Sequence, residues 1–507
     1  MNRVQGDRVN FFLNKDSKIF FGQMIKINSG ERSFYARVVN AQSSSTLDTG
    51  EQLREAQGKE TFGPYSSYKS VEAILFLEKY RGRIRSPTFN PNYMDKVIAT
   101  TVEDCNTLKL EGELEIGQLR SGEEVVGSVG VNVGSIPYMM GMFGMTGSGK
   151  TNCELVLNAQ IIDHSPQTVG IIFDFAGQLL EGKGIAPQKG LRDHPLFHTK
   201  VCYYSTKEGK MKIGLRSLSP DKLKKLFTDI SPPQGKVAWG LYKLFGAGWI
   251  ERARTLFEDG GYKALYKELG YGKKETIEAL MMKLYALSPE LYPPTDYNFV
   301  DSVVENVSKG ITCLIDISGL TSEEQYRIVT LTASNVAYYY KQTWETNHAT
   351  WQKLPTLLIT LEEAHEFLDP GKPRTIFSDI ALTYRKYRVG LNAVTPRPSK
   401  INFDVFAELW TKVIMKTELS QDRRYLTENT PYLEYSDTEI KMLDIGEALL
   451  ISEPKIRFAV PVKVTHYPEY LARKANVDYS LPTSQTLSDM DERIKLLRNA
   501  ADSIAKS

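Results

Sequence analysis

The chain is poor in the residues that build metal and disulfide sites: 507 residues hold four cysteines and six histidines. Cys105, Cys153, Cys202 and Cys313 are scattered, with no CxxC pair and no framework spacing. This excludes a thiolate metal site and fits a reduced, cytoplasmic protein. His194 and His198 are four apart, but Pro195 lies between them and no acidic partner follows, so zinc is not expected there. Long apolar runs are missing too. A stretch such as Ile311 to Ile317, broken by Cys313 and Asp316, falls far below the ~18–20 residues of a membrane helix. The first ten residues carry charges where a signal peptide would have an apolar core. Excess charge of either sign is lacking: 63 Lys and Arg against 61 Asp and Glu leave +2, which neither requires nor forbids nucleic acid. What is present, 41% hydrophobic and 24% charged residues, excludes a mostly disordered chain. The length allows two to four domains.

The first ~120 residues alternate polar and apolar positions in short runs punctuated by Gly, Asn, Asp and Ser, the pattern of a small antiparallel barrel or sandwich. Residues 41–68 are polar and are expected to form a long loop within it. From about Pro137, short apolar runs alternate with helix-like segments, which predicts a mostly parallel α/β sheet. Its strands are expected at Tyr138–Phe143, Val169–Asp174, Gly310–Ile317, Pro355–Leu361, Gly390–Thr395 and Lys412–Lys416. Between Leu215 and Asn306 the pattern is helical, with helices at Ser219–Thr228, Gly235–Leu244, Ile250–Phe257, Thr276–Leu287 and Asp301–Ser308. Gly446–Ser452 and Ile456–Val464 predict a hairpin. Leu487, Met490, Ile494, Leu496 and Leu497 predict a terminal amphipathic helix.

The strongest chemical signal is Gly144-Met145-Thr146-Gly147-Ser148-Gly149-Lys150-Thr151, a full GxxxxGK[ST] placed between a strand and a helix. Glycines let consecutive backbone N–H groups turn inward around phosphate oxygens. Lys150 supplies charge to the β- and γ-phosphates of ATP, and the Thr151 hydroxyl can ligate Mg²⁺. The helix that follows, Thr151 to Ile162 with Asn152 in its first turn, adds its N-terminal dipole. Such a loop needs a carboxylate at the end of a nearby strand. Leu357 to Leu361 ends in Glu362-Glu363-Ala364-His365, which assigns Glu362 to the Mg²⁺ shell and Glu363 to the attacking water. Asp174 ends another apolar strand and either joins the same metal or caps a turn. Asp316 ends a strand in the same way.

These segments resemble the HerA branch of the HerA/FtsK translocases. Glu115 to Leu119 resembles the family's IGxL-like strand, Gly144 to Asn152 its P-loop, and Phe173 to Gly177 its FDxxG segment. Leu361 to Leu368 resembles the Glu-Glu-Ala-His motif. Arg385 to Leu391 and Thr395 to Ser399 resemble RKxGVxL and TQRPS, and Leu443 to Ala448 resembles LxxGEA. The sequence departs at Pro396, where the family has a γ-phosphate-sensing Gln, at Gln178 in place of an acid, and at Leu382 in place of an Arg.

The resemblance implies a homo-hexameric, ATP- and Mg²⁺-dependent translocase on double-stranded DNA, without membrane attachment. It would work with a NurA-like nuclease or another effector in DNA-end processing or anti-phage defence. It implies an N-terminal β-barrel domain over 1–135 and a RecA-like core in two parts, 136–214 and 307–465. A helical insertion over 215–306 and a C-terminal extension over 466–507 that contacts a neighbouring subunit complete the plan. It implies that Arg385, in the RK pair, acts on ATP held by the adjacent subunit. Two alternatives stay open: a weakly hydrolysing ring that scaffolds an effector, favoured by Pro396 and Gln178, and a conjugation- or secretion-type motor. Candidate DNA-channel cations are Lys183, Lys189 and Arg192, Lys372 and Arg374, and the Lys-rich stretch from Lys207 to Lys225.

Overall fold

The computed structural model describes residues 3–47, 51–52, 57, 67–184, 188–227, 229–371, 374–476 and 484–506. The N-terminal strands are β1 (Arg3–Gln5), β2 (Arg8–Asn14), β3 (Met24–Ser29), β4 (Arg32–Ser45), β5 (Ser67–Tyr80), β6 (Arg83–Arg85) and β7 (Lys96–Ala99). They form a seven-stranded antiparallel sheet in the order β1-β2-β5-β4-β3-β7, with β6 paired to β5. Alternation sends Val9, Phe11, Ile25, Ile27, Phe34 and Val71 into one core. The expected closed barrel is not found among the described residues: the path is open, with β1 and β7 at its ends. Those end strands are three and four residues long, too short to zip the edges together.

The second sheet has eleven strands in the order β12-β13-β11-β14-β15-β10-β16-β17-β18-β8-β9. They are β8 (Leu114–Ser121), β9 (Glu124–Val131), β10 (Met140–Phe143), β11 (Thr168–Asp174), β12 (Val201–Ser205), β13 (Thr312–Asp316), β14 (Thr356–Leu361), β15 (Val389–Thr395), β16 (Thr411–Met415), β17 (Glu447–Ser452) and β18 (Ile456–Val464). From β12 to β16 all pairings are parallel; from β16 to β9 all are antiparallel. Every residue of β10, β11, β13, β15 and β16 is buried. Coverage on both faces explains why the sequence reads there as continuous apolar runs rather than alternation. The β8–β9 hairpin, expected within the N-terminal domain, instead extends this sheet, because Gly117, Gln118 and Leu119 pair with Val464, Lys463 and Val462.

The insertion between β12 and β13 contains the five expected helices with shifted ends: Pro220–Leu226, Pro232–Phe245, Trp249–Leu269, Lys274–Tyr285 and Phe299–Ser308. Thr228, the expected end of the first, lies outside the described residues. Capping fixes their starts. Ser219 accepts from the Lys222 N–H, and Ser231 forms a capping box with Gln234 ahead of Pro232. Gly260 and Gly261 break the third helix, with Gly261 at φ +61°.

The C-terminal helix spans Ser484–Lys506. Met490 and Ile494 pack with Leu155, Tyr467 and Leu471 of the same chain, so this part of its apolar face is not left for a neighbouring subunit. Leu496 and Leu497 are exposed. Among the described residues no helix is long and apolar enough to cross a membrane.

Candidate nucleotide-binding site

Parallel strands deliver the ends of β10, β14, β15 and β16 to one edge of the sheet. β15 lies between β10, which feeds the P-loop, and β14, which ends before Glu362. A cleft of about 740 Å³ opens at this edge, lined by Thr146, Gly147, Gly149, Lys150, Thr151 and Asn152 together with Glu362 and Glu363. Sequence-distant residues therefore meet because parallel register places strand ends together.

The loop is held from outside. Met145 donates its N–H to Lys416 O at 2.8 Å, and Gly446 donates to Ser148 O at 3.0 Å. Gly147 at φ +82° and Gly149 at φ +108° need glycine for this turn. Lys150 Nζ donates to the carbonyls of Gly144 (2.7 Å) and Met145 (2.9 Å). Burial lowers the Lys150 pKa against the opposing pull of Glu154, Glu363 and Glu362. Ser148 is buried, with its hydroxyl toward Met415 Sδ at 3.8 Å, so it contributes backbone rather than side chain to the loop. Asn152 lines the cleft, but its amide clamps the chain beyond β18: Nδ2 donates to Thr465 O (2.9 Å) and Oδ1 accepts from the Tyr467 N–H (2.8 Å).

Glu362 Oε2 accepts from the Phe175 N–H at 2.9 Å, and burial with the nearby Asp174 carboxylate pushes Glu362 up to about 8. Of the two roles open to Asp174, the metal shell or a turn cap, the structure shows the cap. It is buried, its two oxygens accept from the N–H groups of Gln178 (3.1 Å) and Leu179 (2.9 Å), and it does not line the cleft. Asp316 caps in the same manner, accepting from Ser318 and from Tyr203 OH. Glu363 adopts φ +47°, uncommon for a residue with a side chain. Its Oε2 lies 3.4 Å from His365 Nδ1, which in turn is 3.0 Å from Thr395 Oγ1 at the end of β15. Pro396 follows in the cleft wall.

Two features of the site went unread in the sequence. Glu154 is buried in the cleft wall, its Oε1 has no hydrogen-bond partner among the described residues, and burial beside Glu362 raises its pKa well above normal. Its signal was a carboxylate one helical turn after Lys150, followed at once by the apolar run Leu155-Val156-Leu157. The far wall comes from the chain's other end, Ile445, Gly446, Lys463 and His466, with Lys463 Nζ donating to Ile445 O at 3.1 Å. No local pattern announces that approach.

Arg385 is not in this cleft. It precedes β15, at the sheet's opposite edge, roughly 20 Å away at ~3.3 Å per strand residue. Its guanidinium lies over Tyr138 (4.9 Å) and Trp410 (5.8 Å), which precede β10 and β16. No carboxylate pairs with it among the described residues. Of the channel candidates, Lys189 pairs with Asp491, Arg192 with Glu181, Arg374 with Asp379, Arg216 with Glu251 and Lys222 with Asp301. These cations are engaged within the chain. Lys372 lies outside the described residues.

A P-loop on a parallel strand, facing carboxylates on a strand one removed, defines a P-loop NTPase. Residues 114–336 match the family model "Helicase HerA, central domain". The chain is 23% identical to the DNA double-strand break repair helicase HerA of Sulfurisphaera tokodaii, over 79% of this chain and 78% of that protein. It is 21% identical to the same helicase of Pyrococcus furiosus, over 95% of this chain and 98% of that protein. Among solved structures, VirB4 of Thermoanaerobacter pseudethanolicus covers 69% of this chain and 96% of its own at 15% identity, with a TM-score of 0.45. The chain is thus similar to the HerA helicases over most of its length, and the similarity to their central domain falls on residues 114–336.

Proposed function

We propose that this protein is an ATP-hydrolysing, hexameric translocase on double-stranded DNA. The observation that carries the reading is the convergence of Lys150, Thr151, Glu362 and Glu363 in one cleft at the C-terminal edge of a parallel sheet. The residues fit ATP with Mg²⁺. The Thr151 hydroxyl has no protein partner among the described residues, and the wall holds an orphaned buried carboxylate oxygen on Glu154. Lys150 and the N–H groups of Gly144 to Thr151 would hold the phosphates. Thr151 and Glu362 would hold the metal, which supplies charge neutralisation at the transferred phosphoryl. Glu363 would take the proton of the attacking water, turning from its contact with His365 to do so. Arg385 would reach the nucleotide of the adjacent subunit. In this reading the motor core is interrupted by the 215–306 insertion and works with a nuclease or other effector.

The second reading, a ring that hydrolyses weakly and assembles an effector, is supported by Pro396 in the cleft wall. Proline has no side-chain or backbone donor to offer a γ-phosphate. ATP turnover with and without duplex DNA tests both. The translocase reading expects stimulation by DNA, near-total loss in Lys150→Ala, and nucleotide binding without turnover in Glu363→Gln. Slow turnover indifferent to DNA rejects it in favour of the scaffold.

A further inference from the structure

A second cavity, of about 750 Å³, opens where the N-terminal sheet meets the turn between β17 and β18. Five lining side chains are cations: Lys79 on β5, Arg85 on β6, Lys109 after the helix Val102–Leu108, and Lys455 and Arg457 at the β17–β18 turn. No described carboxylate lines it. In a chain of net charge +2 such a concentration is a matter of placement, not composition.

The cations are poorly compensated. Arg85 lies 3.4 Å from the buried Glu78, which Arg32 also contacts. The other four have no carboxylate within ion-pair distance among the described residues, and three of them reach neutral acceptors. Lys79 Nζ donates to Thr107 Oγ1 (3.4 Å), Lys455 Nζ to Asn132 Oδ1 (3.3 Å) and Glu111 O, and Arg457 Nε to Pro454 O (3.0 Å). Glu111 and Glu113 stand near Lys455 but outside the lining, and burial, the larger influence, lowers the Lys455 pKa.

We propose that this cleft is a contact for the phosphodiester backbone of double-stranded DNA, separate from the nucleotide site. The proposal rests on the DNA-translocase reading above. What a partner meets at the mouth is charge: Arg85, Lys109 and Arg457 are exposed. The apolar floor is out of reach, since Phe76, Leu108 and Phe458 are buried and the two phenylalanine rings stack on each other at 4.2 Å. A protein-docking centre needs an accessible apolar pocket, and here the apolar side chains within reach are Ile84 and Tyr432, each under two-fifths exposed, the half-buried Leu77 and the exposed Pro454. Single strands bind through free aromatic faces, which the stacked floor does not offer. Uncompensated cations from three segments suit phosphates read without regard to sequence.

The test is fluorescence anisotropy of a labelled mixed-sequence duplex with the full-length assembled protein over a salt series. In the triple variant Lys79→Ala, Lys109→Ala, Arg457→Ala, the log–log salt slope should fall by about 2–3 and the affinity by ~10-fold or more. DNA-free ATP turnover should be unchanged. The charge-preserving triple Lys79→Arg, Lys109→Arg, Arg457→Lys should keep the wild-type slope, which separates charge from folding. An unchanged slope in the alanine triple overturns the proposal, as does intact duplex binding with loss of labelled polyglutamate, which would make the cleft a dock for acidic protein. If the wild type binds no duplex, the underlying DNA reading falls as well.

Discussion

The two edges of the parallel sheet handle charge in opposite ways. At the C-terminal edge, Lys150, Glu154 and Glu362 are crowded into a cleft wall, and removal from water shifts all three from their ordinary values. At the N-terminal edge, three cations in four residues lie over aromatic faces. Arg385 sits over Tyr138 and Trp410, Lys386 over Trp344 (5.2 Å) and Tyr387 (5.0 Å), and Arg388 over Trp351 (4.4 Å). A carboxylate partner would occupy the guanidinium N–H donors. An aromatic face orients the group and leaves those donors free. One edge thus holds a lysine and carboxylates around a cleft while the other holds cations over rings, and roughly 20 Å of strand separates them within one chain.

The largest expected effect breaks this division directly. Arg385→Ala should lower ATP turnover by ~10³-fold or more while leaving ATP affinity near wild type, as befits a finger supplied in trans. Lys150→Ala should be equally inactive. Rings mixed from the two variants should regain activity at interfaces that join an intact P-loop to an intact arginine. Turnover assays on rings shown to exchange subunits check this, and no recovery places Arg385 outside the reaction.

A smaller effect tests the aromatic clamp. Trp410→Leu should reduce kcat by roughly 3- to 30-fold, the worth of a cation–π contact, with KM little changed. Trp410→Phe should restore most of the loss. Equal losses in kcat and thermal stability, without rescue by Phe, would reduce Trp410 to a packing residue.

The smallest effect on turnover belongs to a charge that serves only the fold. Burial would push the Asp163 carboxyl up, but His194 Nε2 (3.3 Å), Lys474 Nζ (2.7 Å) and Tyr470 OH outweigh it and hold the group at about 2. Its folded pKa is below the unfolded value, so its stabilisation is present above pH ~4 and lost as pH falls toward 2. Asp163→Asn should cost roughly 2 kcal/mol at neutral pH, read by denaturant unfolding, with turnover at permissive temperature unchanged. A large loss of turnover would tie this anchor to the chemistry.

The P-loop was legible because its chemistry demands contiguous residues: Gly144 to Thr151 must form one turn. Glu362 and Glu363 were legible because an apolar strand ending in two acids is a local pattern. The edge strand Val201–Ser205 and the helix Ser322–Thr346 were not. The helix is rich in Thr, Tyr and Val, weak helix formers, and its burial of Ile328, Leu331, Val336 and Ala337 makes it helical. Asp174 and Asn152 show a further limit. Their residue types suit a metal or a phosphate, and only the positions of the Gln178 and Leu179 N–H groups, Thr465 O and the Tyr467 N–H reveal other partners.

By itself, then, the sequence determined the phosphate loop, the acidic strand end, the helical insertion and the parallel core, because each is written in neighbouring residues through turn chemistry, periodicity or propensity. Tertiary structure decided the rest. It left the N-terminal sheet open, since closure depends on edges meeting across the whole ribbon. It moved the β8–β9 hairpin into the second sheet, since strand pairing is a contact between distant segments. It brought Ile445, Gly446 and Lys463 over the P-loop, and it set Arg385 on two rings at the edge opposite its own cleft. Contacts of this kind depend on which surfaces three-dimensional packing brings together, and no short stretch of residues encodes that.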